Sequence, residues 1–210
     1  MLRHRLTVVV AVLLAAGTGG CGSDTANPSA GPAGTAAASQ AHGSPSVTVS
    51  ATLGRQLNDA HAATAKYATD LSAAQRDGYM IITPMMPGMG FHYLNPKVTG
   101  FDASKPAILV YLKKGTGAQL VALEWVFPEQ PAAPPLEGAT YGSFDAACHF
   151  KDGSFTPAPG EADCPQKNAD TGSPFNFWHP KLVTLYVWLW YHNPAGLYHG
   201  TNPLVEPFTG

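Results

Sequence analysis

Charge is scarce in this chain: 210 residues carry 12 Lys and Arg against 14 Asp and Glu, a formal net charge of −2. No basic stripe or Arg-rich run appears, so the electrostatic footprint of a nucleic-acid binder is missing. No apolar run reaches the roughly 20 residues that a membrane-crossing helix requires. The sequence also lacks a GxSxG elbow, an HExxH helix, a Walker loop and a dinucleotide fingerprint, so none of those chemistries has a signature here. Cysteine occurs only at Cys21, Cys148 and Cys164, with no CxxC pair of the kind zinc sites use.

The first feature that is present lies at the N-terminus. Arg3, His4 and Arg5 precede an uncharged run from Leu6 to Ala16, and small residues lead on to Cys21. An apolar core of about 11 residues is the length of a signal peptide and too short for a span. The segment 1–20 is therefore read as a signal peptide, and its removal takes Arg3 and Arg5, leaving the chain more acidic. Thr18-Gly19-Gly20-Cys21 resembles the lipobox of bacterial lipoproteins, with Thr18 where that motif usually has an aliphatic residue. The resemblance implies lipidation of Cys21, anchoring to the cell membrane and an extracytoplasmic location. Residues 21–50 are then expected to form a tether: Gly22 to Ser46 is mostly Ala, Gly, Ser and Pro without apolar periodicity, too little surface to offset chain entropy.

Residues 51–210 are read as a single domain of α+β class. One amphipathic helix is expected from Ala51 to Asp77, with Leu53, Leu57, Ala60, Thr64, Tyr67, Leu71 and Ala74 on one stripe and Gly78 as its stop. It should pack on a mainly antiparallel sheet joined by long loops. "AILVYL" and "QLVALEWVF" around "KKGTGA" predict a β-hairpin, with Val121, Leu123, Trp125 and Phe127 on one face. "KLVTLYVWLWYHNP" is apolar at both parities, as a strand covered on both sides must be. The Pro-rich stretch after the hairpin opens a long irregular region.

In an exported chain Cys148 and Cys164 are expected to be bridged. The enclosed "HFKDGSFTPAPGEAD" cannot hold itself by packing, and closing such a loop contributes roughly 3 kcal/mol in the chain-entropy model. A Cys148–His149–Cys164 metal site is the alternative.

Two patterns concern function. "PMMPGMGFHY", Pro84 to Tyr93, gathers three methionines and a histidine among prolines and glycines. "FHYLNP", "YHNP" and "YHGTNP" each set an aromatic-His pair before Asn-Pro, a turn former in which the Asn side chain bonds the backbone two residues on. "GMGFHYLNP", the "ILVYL…LVALEWVF" hairpin and "WHPKLVTLYVWLWYHNPAGLY" together resemble an uncharacterised family of secreted bacterial proteins that carries "MGFHYVNP" and "HVWLWxHNPxGxF". Tyr186 stands where such proteins often have His. The resemblance covers most of the chain from the helix onward and implies no activity.

Three functional readings are open. The first is a non-enzymatic binding lipoprotein with a small-molecule or cell-envelope partner, whose pocket is lined by Tyr93, Trp178, Trp188, Trp190 and His199. The second is copper or another metal held by His92, His179 and His192, with Met89 as a soft ligand, since imidazole and thioether are donors copper accepts. The third is a hydrolase-like enzyme in which a histidine works with Asp102, Asp145 or Glu124 as general base. Glu124 falls on the polar parity of the hairpin, where solvent is its expected neighbour.

Overall fold

The computed structural model describes residues 49–208; the expected signal peptide, Cys21 and nearly all of the expected tether lie outside the described residues. Helix α1 spans Ala51–Thr64, capped by the Ser50 hydroxyl, which accepts from the Leu53 N–H at 3.1 Å. A 3-10 turn, Ala65–Tyr67, extends it, and the expected continuation to Asp77 does not form. The sheet claims the next carbonyls instead. Tyr111 donates its hydroxyl to the Tyr67 carbonyl at 2.9 Å, and the Leu120 N–H donates to that of Ala68 at 2.8 Å. Asp70 then starts a new short helix, α2 (Leu71–Arg76), by accepting from the Ala73 N–H.

Beyond Arg76 the main elements are strands. In order they are β1 (Met80–Ile81), β2 (Phe91–Leu94), β3 (Ile108–Lys114), β4 (Gly117–Phe127), β5 (Gly142–Phe144), β6 (Ala147–Phe150), β7 (Phe155–Pro157), β8 (Phe175–His179) and β9 (Leu182–Val187). They make a six-stranded antiparallel sheet, β1-β2-β3-β4-β9-β5, and a three-stranded antiparallel sheet, β7-β6-β8. The α+β expectation is thereby corrected: the protein is mostly β, with two sheets and little helix beyond residues 51–67. The difference comes from the region read as irregular. Its strands are three to five residues long, too short for a period-2 signal, and they are ordered by pairing with distant partners.

The β3–β4 hairpin forms, with one irregularity that reassigns a side chain. Val110 pairs with Ala122 but Tyr111 with Leu120, so Val121 is an extra residue in a β-bulge. Leu123, Trp125 and Phe127 face α1 as expected, while Val121 joins the opposite face. Its carbonyl accepts from the Trp190 N–H at 3.2 Å.

Both faces of the large sheet are covered. On one, Leu109, Tyr111, Leu123, Trp125, Leu185 and Val187 pack with Leu53, Ala60 and Tyr67 of the helical segment. On the other, Ile108, Val110, Ala122 and Tyr186 pack with Ile82, Trp188 and Val205 and with Phe177 of the small sheet. Strand β9 is covered on both sides but ends at Val187, and it lies between β4 and the edge strand β5. The small sheet is stapled by the Cys148–Cys164 disulfide, on which Trp178 and Phe175 pack.

Candidate functional site

The site is built from one face of the large sheet. Cross-strand register sets Glu124 of β4 opposite Ile108 on one side and Tyr186 on the other, and sets His92 of β2 opposite Val110. Alternation then carries His92, Ile108, Glu124, Thr184 and Tyr186 to the same face. Glu124 therefore meets the second layer rather than solvent, and both it and His92 are only 5% exposed.

The methionine-rich stretch delivers His92. Met86 and Gly90 exchange backbone hydrogen bonds at 3.0 Å each, closing a tight turn just before β2. Gly90 has φ +127°, and a Cβ there would lie 2.7 Å from the Tyr111 carbonyl oxygen, so only glycine fits. The turn is held from outside by the Asn202 N–H, which donates to the Gly88 carbonyl at 2.8 Å. Thr83 fixes the imidazole: its hydroxyl oxygen accepts from the His92 backbone N–H at 3.1 Å and lies 2.9 Å from the ring Nδ1.

His92 Nε2 and Glu124 Oε2 are 3.9 Å apart, too far for a direct hydrogen bond and close enough to share one. Burial pushes the Glu124 carboxyl up to about 7, the Thr184 hydroxyl pulling the other way. Burial also pushes the His92 imidazole down to about 4, opposed by a hydrogen bond to the Gly90 backbone. Each is thus held toward its neutral form. Tyr186 adds a buried hydroxyl with no hydrogen-bond partner among the described residues, and burial followed by the Glu124 charge keeps it protonated. In front of His92 and Glu124 lies a cavity of about 140 Å³, walled by Ile82, Met86, Met89, Ile108 and Phe144 with Thr83, Ser143 and Thr184. A second cavity of about 320 Å³, lined by Tyr141, Tyr198 and Thr201 among others, shares Met89, Ser143 and Thr184 with it.

The residues expected to form a metal centre do not meet. His92 and Met89 line the first cavity, but His179 sits in β8 of the other sheet and His192 is exposed beyond β9. Among the described residues, no three His, Cys, Asp or Glu side chains gather around a point. Strand pairing is what separates them, since each histidine marks the end of a different segment. His179 instead packs with His149, their ring centroids 5.0 Å apart, in a shell of Phe144, Phe155 and Phe177. Each donates Nδ1–H to a backbone carbonyl, His149 to Ile82 and His179 to Pro180, leaving both Nε2 atoms buried and unpartnered among the described residues. Cys148 and Cys164 are bonded to each other, which removes the Cys148–His149–Cys164 alternative.

The expected aromatic pocket is likewise dispersed. Tyr93 faces the helix side and packs edge-on against Tyr111. Trp178 lies on the disulfide, Trp188 donates to the His199 carbonyl on the site side, and Trp190 stacks on His61 at 3.9 Å. His199 is exposed and lines the second cavity. Thr83, Thr184 and Ile108 are the pocket residues that spacing did not assemble, while Glu124, one of three acids set beside a histidine, is the one that meets His92. A signal existed at Glu124, whose parity neighbours Ala122 and Val126 are apolar, as on a strand buried on both faces.

Compared with family models, with curated proteins and with solved structures, the chain matches none.

Proposed function

We propose that this chain is a membrane-anchored, extracytoplasmic lipoprotein whose domain binds a small, largely apolar molecule at the His92–Glu124 cavity. The observation that carries the reading is the cavity itself: apolar walls converging on a few fixed polar groups, the usual make-up of a small-molecule site. Its volume is close to the roughly 150 Å³ of an engineered apolar cavity that takes up benzene. The lipobox-like Cys21, the leader before it and the likeness of the motifs to a family of secreted bacterial proteins support the anchored location. The disulfide is consistent with an oxidising compartment.

The test is methyl NMR of the purified full chain titrated with toluene. Met86 and Met89 line the cavity and should shift saturably, while Met80, outside the lining and accepting from Asn176 at 3.2 Å, should not. Flat titrations at Met86 and Met89 would remove the reading. The intact mass of the same protein purified from membranes reports the lipid on Cys21, and an unmodified cysteine there would remove the anchor.

A further inference from the structure

The cavity's polar end is unbalanced. Among its described lining residues Glu124 is the single acid, and no Lys or Arg is present. A buried carboxylate is costly unless it is paired, and here only the Thr184 hydroxyl supports it. The His92 Nε2, 3.9 Å away, does not close the gap by itself. An atom placed about 2.8 Å from both would subtend roughly a right angle between them, a geometry that fits a nitrogen or oxygen with several hydrogens. The walls above are the Phe144 ring and the thioethers of Met86 and Met89, soft surfaces that suit the carbons next to a cation.

We infer that the ligand of this cavity is a small primary amine, its ammonium held between Glu124, Thr184 and His92 and its apolar body against Ile82, Met86, Met89, Ile108 and Phe144. In the bound state the imidazole proton sits on Nδ1, shared with Thr83, and Nε2 accepts. The ammonium's three donors then meet three acceptors: Glu124 Oε2, Thr184 Oγ1 and His92 Nε2. A hydroxyl can donate only once, so an alcohol leaves two of these unsatisfied, and a hydrocarbon leaves all three. Affinity should therefore rank amine over alcohol over hydrocarbon at constant shape.

This rests on the pocket reading above, and three aromatic probes of similar size separate the two. Benzylamine, benzyl alcohol and toluene are titrated into the full chain, wild type and Glu124→Gln, with the Met86 and Met89 methyl signals as readout. The expected result is benzylamine binding at least tenfold tighter than benzyl alcohol to the wild type. In Glu124→Gln that advantage should disappear. Equal affinity of the amine and the alcohol for the wild type overturns the inference and leaves the pocket reading standing, whatever the variant does. Retention of the full advantage in a folded Glu124→Gln also overturns it. Failure of all three probes to bind overturns both.

Discussion

The two faces of the six-stranded sheet are made by adjacent residues of the same strands, and they are opposites in chemistry. Tyr93, Leu123 and Leu185 point to the helix side; His92, Glu124 and Thr184, each one residue earlier or later, point to the other. The helix side is closed by side chains of the helical segment, among them Leu53, Ala60 and Tyr67. The site side is closed by a small sheet with short strands, a disulfide and a turn of methionines. One face is close-packed and carries stability. The other holds a buried imidazole and a buried carboxyl, His92 and Glu124, beside a void, and their desolvation costs stability that the packed face must offset.

The strongest way to break this contrast is Trp125→Ala. Trp125 is almost wholly buried on the packed face and donates its indole N–H to the Asp102 carbonyl at 2.9 Å. Its removal should cost about 3–5 kcal/mol in urea unfolding. Toluene affinity of the remaining folded protein should not change, and a large change would mean that the faces are not separable.

Next in size is the staple. Replacing both Cys148 and Cys164 with Ala should lower stability by about 3 kcal/mol, measured by denaturation of the oxidised proteins. The loss should come with faster amide exchange in β6–β8 than in β3 and β4, because the large sheet does not use the bridge. Uniform loosening of both sheets would contradict the division between a packed cover and a stapled one.

The smallest effect, and the one that depends on pH, is Glu124→Gln. Glu124 titrates near 4.5 when unfolded and about 7 when folded, so wild-type folding is penalised increasingly as pH rises from 4.5 to 7. His92 runs the other way: its ordinary value of 6.5 falls to about 4, and its penalty grows as pH drops through that window. Their opposite pH slopes nearly cancel in the wild type, although both penalties remain. Glu124→Gln removes one of them, so its stability relative to wild type should rise from pH 4.5 to pH 7 by roughly 3 kcal/mol at most. A pH-independent difference would show that the carboxyl is solvated rather than buried.

How much of the fold and site was legible in the sequence depends on the range of the interactions. The hairpin, the bridge between the two cysteines and the Asn-Pro turns are local or nearly so. Asn95, Asn193 and Asn202 each accept from the backbone N–H two residues on, as their type and spacing imply. The bulge at Val121 was not legible, since alternation continues through "LVALEWVF" without a mark. Helix termination at Tyr67 was missed because the competing partners, Tyr111 and Leu120, lie far along the chain. The site was half visible. His92 and Met89 were picked out by composition, but Glu124 acquires its meaning only when β9 and the small sheet cover it.

The asparagines have a second function besides turning the chain. Asn193 donates its side-chain amide to the Thr201 carbonyl and Asn202 donates its own to that of His192, so the two turns lock each other. Through its backbone N–H, Asn202 also grips Gly88 beside Met89. The loop that brings in His92 is thus fastened by a residue made much later in synthesis. During translation His92, Glu124 and Thr184 can all be present while the pocket still has no latch. The wall of the cavity is completed only after Asn202 has emerged, and loss of that turn would leave an ordered sheet without the contact that holds Gly88 in place.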